Sequence, residues 1–556
     1  MVSKMTAAIY FHPEAYTTSG PKLMGRNAAG ESFLRGFLKF GKSSELWIQV
    51  AIPEHAKAFE LSAQAAGRTE PVKAVYKHSL AALSQPGVVY YPGPGIGEHA
   101  WQRAAYGHGV WSLCGITHTT SSAGAMDALA GLLTAPVQPW DAVICTSSAV
   151  KDNVQRLLQA QADYLVQRFG VQKLVLPQMP VIPLGIHTQD FAFSDVQKAT
   201  ARSAVGAGEH TLVVLYMGRL SFHAKAHPLA MYQALETAAR TLPKGQDVVL
   251  VECGWHANDF IRKAYADAAQ AACPSVRVVT LDGRKSEERQ TAWASADLFC
   301  SLSDNIQETF GIVPIEAMAA GLPVVVSDWD GYKDTVRDAV DGFRVPTLMP
   351  AKGLGTDLAL RHALEIDTYD MYCGHACSLV AVDVAATAQA FSSLFASSPL
   401  RLQMGEAGRQ RARELYDWSV IIPQYEALWG ELTEIRKAQS GALPSLAHPW
   451  PARMDPFAAF ACYPTSLLTP QTMLALVDAD ANTALKRVSD FRQLAMVDFA
   501  KLVLPGEEEV RAVLNSAVRG PKPASELILS IAAERHPFVF RALAWLVKLN
   551  ILRVCA

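Results

Sequence analysis

The sequence predicts an α/β protein with two doubly wound, Rossmann-like domains that face each other across a cleft, followed by a mainly α-helical C-terminal extension. Short apolar segments alternate with helical patterns over most of the chain, which is typical of parallel sheets. A turn-rich stretch at residues 181–190 separates two blocks of this alternation. The chain has 556 residues, of which 50% are hydrophobic, so it can bury several cores.

The first block consists of short apolar segments separated by helical ones. Amphipathic periodicity predicts helices at residues 31–40 and 147–169. The candidate strands are residues 7–11, 46–51, 72–76, 88–91, 111–116, 142–146 and 180–182. We therefore expect a first Rossmann-like domain over residues 1–190.

The second block repeats the pattern. Helices are predicted from Pro228, over residues 259–272, from Ser286, and around Glu316. The candidate strands are residues 211–217, 247–252, 276–280, 297–301 and 323–327. We expect this block to form a second Rossmann-like domain over residues 191–418.

The pattern changes after Pro350. Residues 355–437 are predicted to be helical, and residues 438–455 form a linker rich in Ser, Gly and Pro. We expect residues 456–556 to form the helical extension, within which residues 526–553 show apolar helical periodicity. A docked helical bundle is the favoured interpretation, and homo-oligomerisation or contact with a membrane surface is the alternative. A faint winged-helix pattern has too few basic residues to indicate nucleic acid.

Charge and cysteine usage narrow the class of protein. The 50 Lys and Arg residues balance 52 Asp and Glu residues, which gives no electrostatic basis for a nucleic-acid partner. Nine cysteines are scattered, several in apolar runs, which is typical of a reducing compartment. The N-terminus lacks a signal-peptide pattern, and no window reaches the roughly 18 apolar residues of a membrane span. We expect a cytoplasmic protein, with peripheral contact at the inner face of a membrane left open.

Two carboxylates give the strongest functional signal. Glu308 and Glu316 lie in DNIQETFGIVPIEAMAAGLPVVVSD, residues 304–328, the first in a loop after a strand and the second inside an apolar helix. Ligands of open α/β sheets bind outside the carboxyl ends of strands, where loops lead into helix N-termini. Both carboxylates can face one cleft there, one binding sugar hydroxyls and the other a ribose. The pattern indicates a nucleotide-sugar site.

Each glutamate also has a structural interpretation. A carboxylate near a helix N-terminus, such as Glu308, is favoured by the helix macrodipole alone. Glu316 is a lone carboxylate among apolar neighbours, so it needs a partner or a ligand.

Two cations follow a buried strand of the second block. Arg219 follows Gly218 at the strand end, and Lys225 lies further along the same loop. A diphosphate leaving group gains negative charge as a glycosidic bond breaks, so cations here stabilise the transition state more than the ground state. The alternative is that both are solvated surface charges.

Four segments in this order resemble a known family. They are VIPLGIHTQDF (residues 181–191), LYMGRLSFHAK (residues 215–225), the two-glutamate segment, and VVVSDWDGYKDTVRDAVDGF (residues 324–343). Together they resemble the retaining glycosyltransferases of family 4 (glycosyl transferases group 1, GT-B fold), and the resemblance covers about residues 5–437. It implies transfer of a sugar from a nucleotide-diphosphate sugar to an acceptor hydroxyl with retained anomeric configuration, without a metal or other cofactor. It also implies that a helix at residues 419–437 crosses back onto the first domain.

The resemblance implies roles for the charged residues. Arg219 and Lys225 are expected to bind the diphosphate of the donor. Glu316 is expected to bind the ribose, and Glu308 to contact hydroxyls of the transferred sugar.

The resemblance also implies further donor contacts. The backbone N–H groups of Thr309, Phe310 and Gly311 open the helix after Glu308 and are expected to face the donor. Gly283 and Arg284, in a loop after another strand, are expected to form a wall of the base pocket.

In the first domain, a glycine-containing turn and a histidine match positions of the family. The segment LMGRNAAG, residues 23–30, resembles the family's glycine-rich loop, with Gly25 allowing close backbone approach. Arg26 stands where the family has a second glycine, so its role stays open between diphosphate contact, acceptor contact and a simple turn into a helix. His118 matches the family's active-site histidine and is expected to contact a donor hydroxyl or the acceptor.

The first loop of the chain contains candidate acceptor ligands. His12, Glu14 and Tyr16 are expected to contact the acceptor, with plain loop residues as the alternative. By family habit, the acceptor is a glycan of polysaccharide biosynthesis or a lipid-linked glycan.

Retention constrains the mechanism. A double displacement needs a carboxylate nucleophile, and the first domain offers no convincing one. We therefore expect front-face substitution, in which the leaving phosphate takes the acceptor proton while Arg219, Lys225 and helix N-termini stabilise the departing charge. The alternatives are a catalytically silent nucleotide-sugar-binding scaffold and a nucleotide-sugar epimerase with the same fold.

Three other motifs indicate no cofactor. The glycines between Gly93 and Gly97 are misplaced for a dinucleotide fingerprint. Cys373 and Cys377 have no second pair of metal ligands nearby. The acidic segment around Asp328 fits a capped turn after a strand. We expect no metal site.

Overall fold

The structure is a computed structural model and describes residues 6–17, 25–443 and 450–555. The chain divides into two compact units, Met1–Trp450 and Pro451–Ala556. The first unit contains two parallel six-stranded sheets, and the second contains a small antiparallel sheet with helices.

The first sheet is parallel throughout and is connected by helices. Its strands are β1 (Ala8–Tyr10), β2 (Leu46–Gln49), β3 (Val72–Val75), β4 (Val88–Tyr90), β5 (Ser112–Ile116) and β6 (Ala142–Ile144). Its helices are α1 (Gly25–Phe40), α2 (Pro53–Ala65), α3 (Ile96–Ala104), α4 (Ala123–Ala130) and α5 (Ser148–Phe169). The strand order is β3-β2-β1-β4-β5-β6, so the order reverses between β1 and β4.

The second sheet has the same construction. Its strands are β7 (Thr211–Met217), β8 (Asp247–Gly254), β9 (Arg277–Asp282), β10 (Leu298–Ser301), β11 (Val324–Ser327) and β12 (Gly342–Val345). Its helices are α6 (Asp195–Ala204), α7 (Leu229–Ala239), α8 (Asp259–Ala272), α9 (Ser286–Ser295), α10 (Ile312–Ala319) and α11 (Tyr332–Thr335). The order β12-β11-β10-β7-β8-β9 reverses between β10 and β7. Every residue of β7 is buried, as expected for a strand covered on both faces.

These two doubly wound parallel sheets, followed by a mainly helical C-terminal unit, confirm the predicted GT-B fold class. Most predicted strands and helices are present within a few residues of their expected bounds. The exceptions have local causes.

Residues 180–182 do not form the predicted strand. Val181 makes only an isolated bridge to Cys145, because the neighbouring Pro180 and Pro183 have no N–H for a ladder. The edge strand β12 was not predicted, since its Gly-Phe-Arg-Val sequence has little apolar alternation. Helix α1 begins at Gly25, earlier than its apolar periodicity indicates.

A segment that we call the excursion, residues 347–382, follows β12. Two short strands, β13 (Thr347–Leu348) and β14 (Ala381–Val382), pair antiparallel and enclose helices α12 (Thr356–Ala363) and α13 (Tyr369–Cys377). The chain then forms α14 (Val384–Ala396), α15 (Ser398–Arg411) and a π-helical turn, Ala412–Tyr416. Residues 355–437 are thus largely helical, as predicted, except for the short strand β14.

A long helix, α16 (Trp418–Gln439), packs on the first domain. Trp418 contacts Phe33 of α1 with ring centroids 5.8 Å apart, and Trp429 contacts Phe37 of α1 at 6.2 Å. Tyr425 packs edge-on against Tyr90 of β4 at 5.7 Å. Buried aromatic contacts of this kind fasten the end of the second domain to the first.

The C-terminal unit contains a sheet as well as helices. Its antiparallel sheet has the order β16-β15-β17, with β15 (Met473–Leu476), β16 (Lys522–Pro523) and β17 (Leu552–Val554). Its helices are α17 (Pro456–Ala459), α18 (Ala481–Arg492), α19 (Ala495–Asp498), α20 (Glu507–Ala517), α21 (Ala524–Leu527) and α22 (His536–Lys548). The apolar helical periodicity predicted at residues 526–553 therefore corresponds mainly to α22. The same range also contains the end of α21 and the strand β17. The linker predicted at residues 438–455 lies partly outside the described residues.

The cysteines and the helices give two further results. All nine cysteines are free thiols, and all except Cys462 and Cys555 are buried. Across residues 6–17, 25–443 and 450–555, no helix is long and apolar enough to cross a membrane.

Candidate functional site

The carboxyl edge of the second sheet brings most of the predicted donor residues together. The loop after β7 contains Arg219 and Lys225, and the loop after β10 contains Glu308. Strands β7 and β10 are the neighbours between which the strand order reverses. The topology therefore places these three side chains where open α/β sheets bind ligands.

Helix α10 begins at a tight turn in this edge. Gly311, its N-cap residue, has a φ of +80°, a conformation that favours glycine. A Cβ at this position would overlap the ring of Tyr332, so the turn has no space for a side chain. Phe310 is buried beside it, with its ring 6.2 Å from that of Tyr416. The sequence Thr-Phe-Gly thus fixes where the helix N-terminus meets the cleft.

Lys225 and Glu308 form an ion pair within this edge. The Lys225 Nζ donates to Glu308 Oε2 at 2.5 Å, and the two side chains are 26% and 11% exposed. Burial raises the pKa of Glu308, but the Lys225 ammonium and the backbone N–H groups of Thr309 and Phe310 outweigh it and hold the pKa below its usual value. Glu308 is therefore a carboxylate at neutral pH, fixed in place by a cation.

Arg219 differs from Lys225 in its partners. Its Nη2 donates to the Ala224 carbonyl oxygen and to Gln307 Oε1, both at 2.8 Å. Both acceptors are neutral, and Arg219 forms none of the ion pairs found among the described residues. The half-buried guanidinium therefore keeps an uncompensated positive charge at the cleft.

Glu316 lies on α10 and is partly buried. Its carboxylate accepts no hydrogen bond from the part of the chain that the structure describes. Burial raises the pKa of Glu316 to about 7, although nearby Arg289 acts in the opposite direction. A partly buried carboxylate without a hydrogen-bond donor is poised to accept one from a ligand hydroxyl.

The predicted base-side residues lie at the ends of β8 and β9. Gly283 packs against the backbone of Gly254, and Arg284 is 62% exposed in a bidentate pair with Asp282. An open cleft of about 640 Å³ is lined there by Trp255, with residues from both strand ends. Arg284 is one of the residues that line this cleft, whereas Gly283 lies beside it and is not among the lining residues.

His118 lies across the cleft, on the loop after β5. The Thr309 hydroxyl donates to the His118 carbonyl oxygen at 3.3 Å, and the Ser147 hydroxyl donates to the Thr309 carbonyl oxygen at 2.9 Å. The N–H of Ser148, in the first turn of α5, donates to Asp334 Oδ2 at 2.6 Å. These bonds join the carboxyl edges of the two sheets. His118 therefore lies beside the loop after β10.

Helix α13 also reaches the His118 loop. The Tyr369 hydroxyl lies 2.9 Å from Ser121 Oγ and 3.5 Å from Thr119 Oγ1. The other end of the same helix contacts the loop after β7, which contains Arg219 and Lys225. There, Cys377 Sγ donates to the Phe222 carbonyl oxygen at 3.7 Å. The excursion after β12 therefore bridges the two edges of the cleft.

The predicted acceptor residues are placed unequally. The ring of His12 packs edge-on against that of His55 at 4.5 Å, at the carboxyl end of β1. Glu14 is exposed, whereas Tyr16 is 5% exposed and its hydroxyl donates to the Tyr10 carbonyl oxygen at 3.1 Å. The burial of Tyr16 argues against its predicted acceptor contact, because its ring is packed in the core.

The glycine-rich segment of the first domain is described only in part. Gly25 and Arg26 begin α1, and the residues that precede them lie outside the described residues. The predicted close approach of Gly25 and the open role of Arg26 therefore stay predictions.

Sequence reasoning missed several residues of the site. Gln307 contacts Arg219. It directly precedes Glu308 in the loop after β10, and this position is the feature of the sequence that could have predicted it. Asp330 was interpreted as part of a capped turn, yet it has a φ of +44° and a buried Oδ2 without a hydrogen-bond partner in the described residues. Burial raises the pKa of Asp330 to about 7. Tyr369 had no local signal, because only the fold brings it to the cleft.

Metal ligands do not cluster in the described residues. No group of three or more His, Cys, Asp or Glu side chains there could hold a metal ion. Cys377 instead hydrogen-bonds to carbonyl oxygens, including that of Gly374 at 3.4 Å.

The middle of the chain matches a known family. Residues 197–351 match the family described as "Glycosyl transferases group 1". This segment contains the loops after β7, β9 and β10 and the whole of α10.

Curated relatives share parts of the chain. The phosphatidyl-myo-inositol mannosyltransferase of Mycobacterium leprae is 34% identical over 24% of this chain and 27% of its own length. That of Mycobacterium tuberculosis is 26% identical over 46% of this chain and 56% of its own. The D-inositol 3-phosphate glycosyltransferase of Kribbella flavida is 29% identical over 34% of this chain and 42% of its own. The chain thus spans between about a quarter and just over half of these relatives.

Solved structures resemble the chain more distantly. A glycosyltransferase from Rickettsia africae has a TM-score of 0.49 and 13% identity, covering 77% of this chain and 98% of its own. HepE from Anabaena in complex with UDP has a TM-score of 0.48 and 15% identity, covering 76% of this chain and all of its own.

Proposed function

We propose that the protein is a retaining glycosyltransferase that moves a sugar from a nucleotide-diphosphate sugar to an acceptor hydroxyl. The observation that carries the proposal is the arrangement of Arg219, Lys225 and Glu308 at the switch point of the second sheet. An uncompensated guanidinium lies there beside a lysine–glutamate pair. The match of residues 197–351 to the group 1 glycosyl transferases supports the same conclusion.

The donor is proposed to lie along the carboxyl edge of the second sheet. Arg219 and the N-terminus of α10 bind the diphosphate, since both present positive charge to the cleft. Glu316 accepts hydrogen bonds from the ribose, and Glu308, held by Lys225, orients hydroxyls of the sugar. The base lies in the cleft between the ends of β8 and β9.

Sugar transfer is proposed to occur on one face of the donor. As the glycosidic bond to the diphosphate breaks, Arg219 and Lys225 stabilise the negative charge that develops on the leaving oxygen. That oxygen takes the proton of the acceptor hydroxyl, and the acceptor oxygen bonds to the anomeric carbon from the same face. The cross-cleft bonds at Thr309 hold the two edges together, and closure of the cleft around the donor would limit its hydrolysis.

The acceptor is proposed to bind at the edge of the first sheet, near His118 and His12. The names of the mannosyl and inositol-phosphate relatives make inositol-containing lipids and polyols the first acceptors to test. Glycans and lipid-linked glycans are the next class.

Two alternatives make different predictions. A catalytically silent scaffold binds the nucleotide sugar and leaves it unchanged. A nucleotide-sugar epimerase returns a changed sugar that is still attached to the nucleotide. Transfer releases free nucleoside diphosphate only when an acceptor is present.

The test is product analysis with a panel of UDP- and GDP-linked hexoses and myo-inositol, glycerol and oligosaccharide acceptors. We expect acceptor-dependent release of nucleoside diphosphate, with the new glycosidic bond in the donor's anomeric configuration by NMR. Glu308→Gln should lower turnover by about 10²-fold, because the carboxylate that orients the sugar is lost. The control, Glu209→Gln, changes an exposed carboxylate away from the cleft and should leave turnover unchanged.

Two results would contradict the proposal. One is donor consumption by Glu308→Gln at the wild-type rate. The other is a product whose anomeric configuration is inverted.

A further inference from the structure

Gln307 distinguishes the two cations of the cleft. It directly precedes Glu308, so the same loop supplies a partner to each cation. The neutral Oε1 of Gln307 accepts from Arg219 Nη2 at 2.8 Å, while the charged Oε2 of Glu308 accepts from Lys225 Nζ at 2.5 Å. Lys225 therefore shares its charge with Glu308, whereas Arg219 is held by a partner that carries no charge.

The position of Gln307 is fixed by the loop around it. Asn305 is fully buried, and its Oδ1 accepts the Gln307 N–H at 3.0 Å. The Asn305 Nδ2 donates to the His223 carbonyl oxygen at 3.1 Å, and the Trp329 Nε1 donates to the Asn305 carbonyl oxygen at 3.1 Å. The bond to His223 joins the loop after β10 to the loop that carries Arg219, and the bond from Trp329 joins it to the loop after β11. The two loops therefore keep Gln307 and Arg219 in register.

A second neutral acceptor completes the geometry of the guanidinium. The Ala224 carbonyl oxygen accepts from the same Nη2 at 2.8 Å, so two bonds fix one end of the planar group. The remaining N–H donors of Arg219 appear in no hydrogen bond among the described residues. A guanidinium held in this way can present a bidentate edge to phosphate oxygens.

We propose that Gln307 is a positioning residue that orients Arg219 and preserves its charge for the diphosphate of the donor. This proposal rests on the proposed function. A carboxylate at this position would keep the hydrogen bond but pair with the guanidinium, and would also repel the diphosphate. The amide orients the cation without lowering its attraction for an anion.

The test compares Gln307→Glu with Gln307→Ala by isothermal titration of UDP, GDP and their parent nucleosides, uridine and guanosine. We expect Gln307→Glu to weaken binding of the nucleoside diphosphate about tenfold or more, with the nucleoside unchanged, because only the diphosphate contacts Arg219. Gln307→Ala removes the orienting bond but not the charge, so its loss should be about threefold. Gln270→Glu is the matched control, since that glutamine is exposed on α8.

A double-mutant cycle separates positioning from a general loss of structure. In an Arg219→Gln background, Gln307→Glu should weaken diphosphate binding by a smaller factor than it does in the wild type, because no guanidinium remains to neutralise and only direct repulsion of the diphosphate is left. Equal losses for nucleoside and nucleoside diphosphate would overturn the proposal, as would unchanged binding by Gln307→Glu. Wild-type protein that binds neither UDP nor GDP would overturn the proposed function itself, and with it this role of Gln307.

Discussion

The two edges of the cleft present different chemistry. The edge of the second sheet presents charges, with Arg219 uncompensated and Lys225 paired to Glu308. The edge of the first sheet carries aromatic rings instead, including the pair His12–His55 with ring centroids 4.5 Å apart. This contrast suits a division of binding between the two edges. Under the proposed function, the charged diphosphate of the donor binds at the second edge, and the hydroxyl-bearing acceptor binds at the first.

The two glutamates show the same division on a smaller scale. Glu308 is paired with a cation, and its pKa lies below the usual value. Glu316 receives no hydrogen bond from any residue that the structure describes, and burial raises its pKa to about 7. A carboxylate that is already paired can orient a ligand without changing its own charge. An unpaired one gains its partner when the ligand arrives.

Loss of the uncompensated cation should have the largest effect. We expect Arg219→Ala to lower kcat/KM for the nucleotide sugar by about 10² to 10³-fold, because the charge that develops on the leaving group loses its stabilising partner. Steady-state kinetics at saturating acceptor measures this. Arg156→Ala, an exposed change on α5, is the control. If Arg219→Ala instead changes only the KM of the acceptor, measured with the acceptor concentration varied, Arg219 acts on the acceptor and not on the donor.

Glu316 should make stability depend on pH. Its pKa is raised from 4.5 to about 7 in the folded protein, so its contribution to stability is fully present below pH 4.5 and is lost as the pH rises through about 7. The full shift corresponds to at most about 3 kcal/mol, and partial exposure reduces it. We therefore expect the melting temperature of Glu316→Gln to rise relative to the wild type between pH 5 and pH 8, by a few degrees.

The difference in melting temperature between Glu316→Gln and the wild type reports on Glu316 alone. Asp304 and Asp330 also have pKa values raised to about 7, but they are present in both proteins. Melting curves at several pH values measure the difference. A difference that does not vary with pH would show that Glu316 is not held in a low-dielectric site.

Tyr369 should affect the acceptor side more than the donor side. Tyr369→Phe removes the hydroxyl that contacts Ser121 and Thr119, so we expect kcat/KM for the acceptor to fall about fivefold while affinity for the nucleoside diphosphate is unchanged. Tyr372→Phe, on the same helix, is the matched control. Weaker nucleotide binding by Tyr369→Phe would instead connect α13 to the donor.

Removal of the C-terminal unit should have the smallest effect. The predicted donor residues all lie within Met1–Trp450, which has its own cores, so a chain ending at Trp450 should bind nucleoside diphosphate within about twofold of the full chain. Titration of both chains measures this. A chain that folds but no longer binds would show that the second unit contributes to the site.

The fold was predictable because buried parallel strands leave a strong local signal. The apolar run at β7 and the helical pattern at α8 gave those elements directly. Short edge strands such as β12 and β16 leave little signal, because they have few apolar residues. The segment at residues 180–182 predicts a strand that does not form, because Pro180 and Pro183 interrupt the ladder.

The site was predictable only where its residues share one loop or helix. Glu308 and Glu316 are predicted from their spacing, and their roles stay predictions. The pairing of Glu308 with Lys225, and of Gln307 with Arg219, joins residues more than eighty positions apart and depends on the order of strands. Tyr369 reaches the cleft through an excursion whose path no local pattern shows.

The most direct test of the division between the two edges is hydrogen–deuterium exchange with and without a saturating nucleoside diphosphate. The charged edge predicts protection of residues 218–227 and 304–317, with little change in the first-sheet loops at residues 12–17 and 91–99. Protection confined to the first-sheet loops would contradict the assignment of the donor to the second sheet.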